Sequence, residues 1–152
     1  MRNYDLITPE GTKDLLFGEC IIRRDIENTQ LDLFKSRGYC EMITPGLEFF
    51  HVFNLNSQYF PQENLYKLTD SKGRLLVMRP DSTMPIARVV ATRLRDAVLP
   101  LKLCYNQPVY STEPALKGRS DEIVQAGIEL IGSQLKMADL EVISTAADSL
   151  KS

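Results

Sequence analysis

The sequence predicts an α+β domain in which helices flank an antiparallel sheet, and three patterns carry that expectation. Strict alternation runs from residue 124 to 130, where Val124, Ala126, Ile128 and Leu130 interleave with Gln125, Gly127 and Glu129. Two short strand-like runs, at 65–68 and 74–78, are joined by Asp70, Ser71, Lys72 and Gly73, a composition suited to a hairpin turn. Apolar residues at helical spacing recur in three other segments.

Taken in order, residues 1–16 read as an ordered arm, punctuated by Pro9, Gly11 and Thr12 and given something to bury by Leu15, Leu16 and Phe17. A helix is expected from about Glu19 to Arg37, with Ile22, Ile26, Leu33 and Phe34 on its packed face. Arg23, Arg24, Glu27, Asp32 and Lys35 are left for solvent, and Gly38 ends the helix. Residues 39–44 alternate as a strand and stop at Pro45, which has no N–H to give a ladder. Residues 46–64 stay open between a short helix and irregular chain, because Phe49, Phe50, Val52, Phe53 and Leu55 compete with Asn54, Asn56, Ser57 and Pro61.

Helical spacing returns at Ile86, Val89, Val90 and Leu94, with Pro85 tolerated in the first turn. Leu101, Leu103 and Tyr105 then alternate with Lys102, Cys104 and Asn106 in a strand. Leu140, Ile143, Ala147 and Leu150 give a final helix one apolar stripe.

Composition bounds the function. At 152 residues and 43% apolar, the chain suits one domain burying roughly 70% of its unfolded surface. A net charge of −2 without a Lys/Arg cluster gives no electrostatic footprint for nucleic acid, so no tRNA partner is expected. Cys20, Cys40 and Cys104 are odd in number and unpaired in sequence, against a disulfide framework or a zinc site. No run approaches the ~18 apolar residues of a membrane span, and the N-terminus lacks a signal peptide's apolar core. A soluble, cytoplasmic protein without metal or cofactor is expected.

Two constellations carry chemistry. Asp81 and Thr83 follow a strand end in MRPDST, where a carboxylate beside a hydroxyl can hold an ammonium group; taken alone, a cap for the helix at Pro85 is the more ordinary reading. Gln125 and Glu129 share the polar face of the 124–130 strand, with Gly127 leaving the floor between them open; the ordinary reading is a solvent-facing edge. Lys117 and Arg119 are candidate anion contacts, although two basic loop residues are more often solvated charge. His51 is the single histidine, which excludes a His-based metal site or catalytic dyad within the chain.

The segments PEGTKDLL, GYCEMITPGLE, MRPDSTMPIARVVATR and QAGIELIG resemble the histidyl-tRNA synthetase family, a class II aminoacyl-tRNA synthetase-like fold, over nearly all 152 residues. The helix leading into GYCEMITPGLE resembles motif 1, Pro45 included, and implies a homodimer through those elements. The strand, the loop with Lys117, Gly118 and Arg119, and the return strand resemble motif 2. The resemblance turns Asp81 and Thr83, in place of the family's R-P-E-x-T, into a grip on a substrate amino group. It likewise makes Gln125 and Glu129 contacts to a bound histidine, a carboxylate being apt for an imidazole N–H.

One position departs decisively. Where motif 2 places its catalytic arginine, this chain has Ser111, and the loop continues with Ser120, Asp121 and Glu122 in place of an aromatic and a basic residue. A neutral hydroxyl cannot bridge a carboxylate and an α-phosphate, and losing such a donor costs on the order of 3–4 kcal/mol in a transition state. The segment MRPDSTMPIAR is more similar to the family's non-catalytic branch, the regulatory subunits of ATP phosphoribosyltransferase. That resemblance implies no enzyme activity of the chain's own, a short-form catalytic partner subunit, and a role in the first step of histidine biosynthesis with histidine as feedback ligand. The alternative is a catalytic-domain fragment of a diverged histidyl-tRNA synthetase; a scaffold with an empty pocket is the plainest reading. The chain shows no motif 3, which suggests the N-terminal portion of a longer protein.

Overall fold

A computed structural model describes residues 4–54, 59–112 and 120–151. The first helix, α1 (Gly18–Ser36), ends where Gly38 adopts φ +84 and gives its N–H to Lys35 O at 2.9 Å. That left-handed turn is open to glycine at no steric cost. Strand β1 is only Cys40–Glu41, shorter than the expected 39–44. The Met42 N–H still reaches Cys104 O at 2.8 Å, but the Thr44 N–H goes to the side-chain Oε1 of Gln107, so the main-chain ladder stops there.

The segment that stayed open in sequence forms β2 (Leu47–Phe49), α2 (Phe50–Asn54) and a short 3-10 turn at Gln62–Asn64. Phe53 is fully buried and packs edge-on to Phe60, their centroids 5.3 Å apart. The expected hairpin follows as β3 (Lys67–Thr69) and β4 (Leu75–Met78). Its turn is held by the Asp70 carboxylate, which accepts the N–H groups of Lys72 and Arg74, both at 2.9 Å, and Nε of Arg74 at 2.7 Å.

Helix α3 (Thr83–Thr92) leads to a long hairpin, β5 (Leu101–Tyr110) and β6 (Glu122–Ile131), whose ten pairs run from Leu101↔Ile131 to Tyr110↔Glu122. Helix α4 (Lys136–Ser149) follows. The strands make two three-stranded sheets, β1-β5-β6 and β2-β4-β3. The second is antiparallel throughout; the first has one parallel pair, β1 with β5.

The two faces of the β5–β6 hairpin meet different partners. On one, Cys104, Ala126, Ile128 and Leu130 pack with Phe34, Tyr39 and Leu31, as the alternation predicts. On the other, Leu103 and Tyr105 pack with Ile86 and Val90 of α3. Phe53, Leu65 and Val77 form a third cluster beneath the smaller sheet.

Two expected helix faces are corrected. Ile22 and Ile26 remain 62% and 55% exposed and line an open groove of about 470 Å³ with Leu15 and Val124, so α1 buries its C-terminal half and not the whole stripe. Glu27, expected in solvent, is buried, because Arg23 and Arg24 bring it two charged partners at 2.8 and 2.7 Å. In α4 the expected stripe faces outward, with Leu140 and Ile143 exposed. Thr145 is buried instead, and the helix is fastened by Arg37, which bonds Thr145 Oγ1 at 2.8 Å and Asp148, and by Lys102 on Glu141 at 2.6 Å. No helix among the described residues is long and apolar enough to cross a membrane.

Candidate functional site

The site begins with a buried arginine. Arg79, just past β4, is 3% exposed and gives Nε to Pro108 O at 2.7 Å and a terminal nitrogen to Thr44 O at 2.5 Å. Its own N–H reaches Gly46 O at 3.0 Å, and its carbonyl accepts the Tyr110 N–H at 2.9 Å. A desolvated guanidinium needs such acceptors, and they fix the strand end against β5. Burial holds its pKa below the ordinary value.

Fixing Arg79 delivers the next residues to the hairpin face. Asp81 Oδ1 accepts the Thr83 N–H at 2.7 Å and lies 3.4 Å from the Met84 N–H, while Oδ2 accepts Nε2 of Gln125 at 3.2 Å. Gln125 Oε1 in turn accepts the Ser82 N–H at 3.1 Å. One carboxylate oxygen of Asp81 thus supports the first turn of α3, as the helix-cap reading expects, and the other faces β6.

Glu129 lies close enough to Asp81 and Thr83 to feel both, so the structure brings Asp81, Thr83, Gln125 and Glu129 to one junction. The Glu129 carboxyl is pushed above its ordinary value mainly by burial and further by the Asp81 charge, while the neighbouring Thr83 hydroxyl opposes both.

Gly127 does not leave the expected open floor. It pairs directly with Tyr105, and a Cβ added at Gly127 would lie 2.4 Å from the Tyr105 hydroxyl oxygen. The glycine makes room for that ring. Tyr105 is 5% exposed, and its pKa is pushed up to about 12 by burial and then by the Glu129 and Asp81 charges. Sequence reasoning missed Tyr105, although an interior strand glycine is a sign of close approach and its cross-strand partner was the residue to inspect.

Beyond Gln125 the same face opens into a cavity of about 230 Å³ whose lining includes Phe60, Pro80, Val109, Ser111, Asp121 and Gln125. Ser111 thus stands at the cavity, beyond the end of β5, with its N–H on Asp121 O at 2.9 Å. The Asp121 carboxylate accepts the Tyr66 hydroxyl at 2.6 Å and fills the space where a Gly11 Cβ would lie, at 2.3 Å. The Asp121 N–H and the Ser120 hydroxyl both reach Gly11 O, at 2.7 and 2.8 Å, which ties the N-terminal arm to the start of β6. Lys117 and Arg119 lie outside the described residues. His51, on α2, meets Phe50 edge-on at 6.3 Å, apart from this junction.

Two carboxylates, an amide and a hydroxyl converging on one face are chemically suited to a ligand that presents N–H donors or positive charge. Among the described residues, no group of three or more His, Cys, Asp or Glu side chains could hold a metal ion.

Residues 11–152 match the family model described as Histidyl-tRNA synthetase. The chain belongs to the histidyl-tRNA synthetase family. Within the family it is similar to proteins named ATP phosphoribosyltransferase regulatory subunit. That of Clostridium kluyveri is 47% identical over 150 residues, 99% of this chain and 38% of the relative; that of Clostridium acetobutylicum is also 47% identical, over 99% and 37%. The chain therefore spans well under half the length of these curated relatives.

Solved structures agree on the fold. A crystal structure from Bacillus halodurans, described as an ATP phosphoribosyltransferase regulatory subunit/histidyl-tRNA synthetase, superposes with a TM-score of 0.87 at 34% identity, covering 99% of this chain and 39% of that one. The apo histidyl-tRNA synthetase of S. aureus gives 0.80 at 25% identity, covering 96% and 34%. The α+β, class II synthetase-like fold of the histidyl-tRNA synthetase family is the one this chain adopts.

Proposed function

We propose that this chain is part of a non-catalytic regulatory subunit of ATP phosphoribosyltransferase, which binds a short-form catalytic subunit, supports the first step of histidine biosynthesis and transmits inhibition by histidine. The observation that carries the proposal is the junction of Asp81, Thr83, Gln125 and Glu129 beside a cavity whose family arginine position is Ser111. A pocket for the donors of an amino acid is kept, while the charge that would stabilise an adenylating transition state is replaced by a hydroxyl. Asp121 adds a carboxylate to the same cavity, which disfavours a triphosphate.

The relatives' names support the regulatory role, and the glycosyl transfer belongs to the partner. The apolar residues Ile21, Ile22 and Ile26, exposed on α1, support a homodimer through the motif 1 elements. The cytoplasm is the compartment in which this pathway chemistry would run.

Mixing the full-length protein with a short-form catalytic subunit is expected to restore condensation of ATP with phosphoribosyl pyrophosphate and to make it sensitive to histidine. Absence of co-elution and of activation sinks the proposal. Histidine-dependent ATP–pyrophosphate exchange by the full-length protein alone would instead favour a diverged synthetase.

A further inference from the structure

The start of β6 is a wall between two spaces. Ser120 and Ile123 line the cavity of about 230 Å³ and also a second, open groove of about 600 Å³ between the N-terminal arm and α1. The arm's side of that groove is Lys13, Asp14 and Leu15. Gly11 and Tyr66, which both meet Asp121 at this wall, have no part in the ligand and partner reading above.

The arm is lightly packed, since Leu6, Leu16 and Phe17 all stay exposed and burial contributes little to holding it. Its fastening to β6 is at Gly11, whose carbonyl accepts the Asp121 N–H at 2.7 Å and the Ser120 hydroxyl at 2.8 Å. Gly11 takes φ +76 and lies so close to Asp121 that an added Cβ would sit 2.3 Å from the carboxylate carbon. Backbone conformation and lack of room thus both require glycine there.

Asp121 is held in turn from its other side. Its carboxylate accepts the Tyr66 hydroxyl at 2.6 Å, and its carbonyl accepts the Ser111 N–H at 2.9 Å. Tyr66 precedes β3, and its own carbonyl takes the Met78 N–H at 3.0 Å, which ties it to the smaller sheet. The bond to Asp121, ahead of burial, pushes the Tyr66 phenol up to about 12. A chain of contacts therefore runs from the smaller sheet through Asp121 to the arm.

Where the arm joins α1, the backbone is strained. Phe17 has φ +47 and ψ −107, and among the described residues it is the one positive-φ position that is not glycine. It sits at the first central position of a turn closed by the Glu19 N–H on Leu16 O at 3.0 Å, where a type II′ turn asks for glycine. A residue in such a conformation persists only where its surroundings hold it.

We propose that the arm is a strap, latched at Gly11 by Asp121 and Tyr66 and hinged at Phe17, which closes one wall of the groove beside α1 and opens when the latch is lost. The latch is closed in this structure. Opening carries Lys13 and Leu15 away from the groove and leaves the Asp81, Gln125 and Glu129 junction in place. Tyr66 is a positioning residue here, acting on the arm through Asp121.

Opening is measured in the full-length protein by native-state trypsin cleavage after Lys13, an exposed residue between latch and hinge, with the released fragment identified by mass. Cleavage follows the population of the open segment when reclosing is fast. Gly11→Ala, which violates both requirements at the latch, should quicken it at least tenfold. Tyr66→Phe removes one oxygen outside the arm and should quicken it several-fold. Combined with Asp121→Ala, it should add nothing to Asp121→Ala alone, because the two act in series. Phe17→Gly, which relieves the hinge, should slow cleavage. In every variant the rate should rise only weakly with urea, since local opening exposes little surface.

An unchanged rate in Tyr66→Phe, or additive effects in the double variant, overturns the latch. Cleavage that is no slower in Phe17→Gly overturns the hinge. A urea dependence as steep as that of global unfolding, followed by circular dichroism in the same variants, overturns the strap altogether. Each of these outcomes is independent of whether histidine or a catalytic subunit binds.

Discussion

The two faces of the β5–β6 hairpin are built from the same twenty residues and obey different rules. Cys104, Ala126, Ile128 and Leu130 face Phe34 and Tyr39, and that side is held by area and close packing. Tyr105, Gln107, Gln125 and Glu129 face α3 and the strand end at Arg79, and that side is held by particular pairs: Gln125 with Asp81 and Ser82, and Gln107 with Thr44. The first face tolerates any residues of suitable size and polarity, whereas on the second a one-atom change removes a partner from a buried group. A domain can thus keep its shape while its site is altered.

That contrast can be broken most forcefully from the packing side. Phe34→Ala, at a residue 3% exposed, should lower stability by about 3–5 kcal/mol, read as a fall in the denaturation midpoint, with the proposed histidine binding of the still-folded protein unchanged. Affinity falling in proportion to stability would show that the faces are not separable. Next in size is Gly127→Ala, whose methyl would collide with the Tyr105 hydroxyl. The expected cost is about 1–3 kcal/mol, with loss of most ligand binding. If this variant binds normally, Tyr105 does not define the site face.

The smallest effect runs in the opposite direction. Glu129 is raised above its ordinary 4.5 chiefly by burial, so the folded state holds more protons than the unfolded state between 4.5 and the raised value. Stability from this group is therefore full at acid pH and falls as pH rises through that window. Glu129→Gln should flatten that part of the pH profile and raise the thermal midpoint at pH 7 by about 1–2 °C for a domain of this size, while weakening ligand binding at least tenfold. A midpoint that drops at pH 7 would mean the carboxylate stabilises the fold, and the division between faces would fail there.

The packing face was the legible one. Period-two alternation placed Ala126, Ile128 and Leu130 correctly, and the Asp70–Gly73 turn gave the β3–β4 hairpin, because both signals are local. Residues 46–64 were illegible because Phe53 is buried by Leu65 and Val77, which arrive from elsewhere in the chain. Periodicity also overcalled α1 and α4: it marks an apolar stripe but not what covers it, and Ile26 and Ile143 stay exposed. At the site, strand phase and family resemblance together point to Asp81, Thr83, Gln125 and Glu129. Tyr105 was hidden because its role depends on the β5–β6 register, which no single strand encodes.

Arg79 bonds to main-chain oxygens of Thr44 and Pro108, and it reaches Gly46 and Tyr110 through its own backbone. Carbonyl oxygens are present whatever side chains surround them, so this anchor places little demand on the identity of its neighbours. Sequence drift can therefore replace residues throughout the motif 2 region without moving Asp81. A cleft anchored to the main chain in this way keeps its shape whatever side chains come to line it.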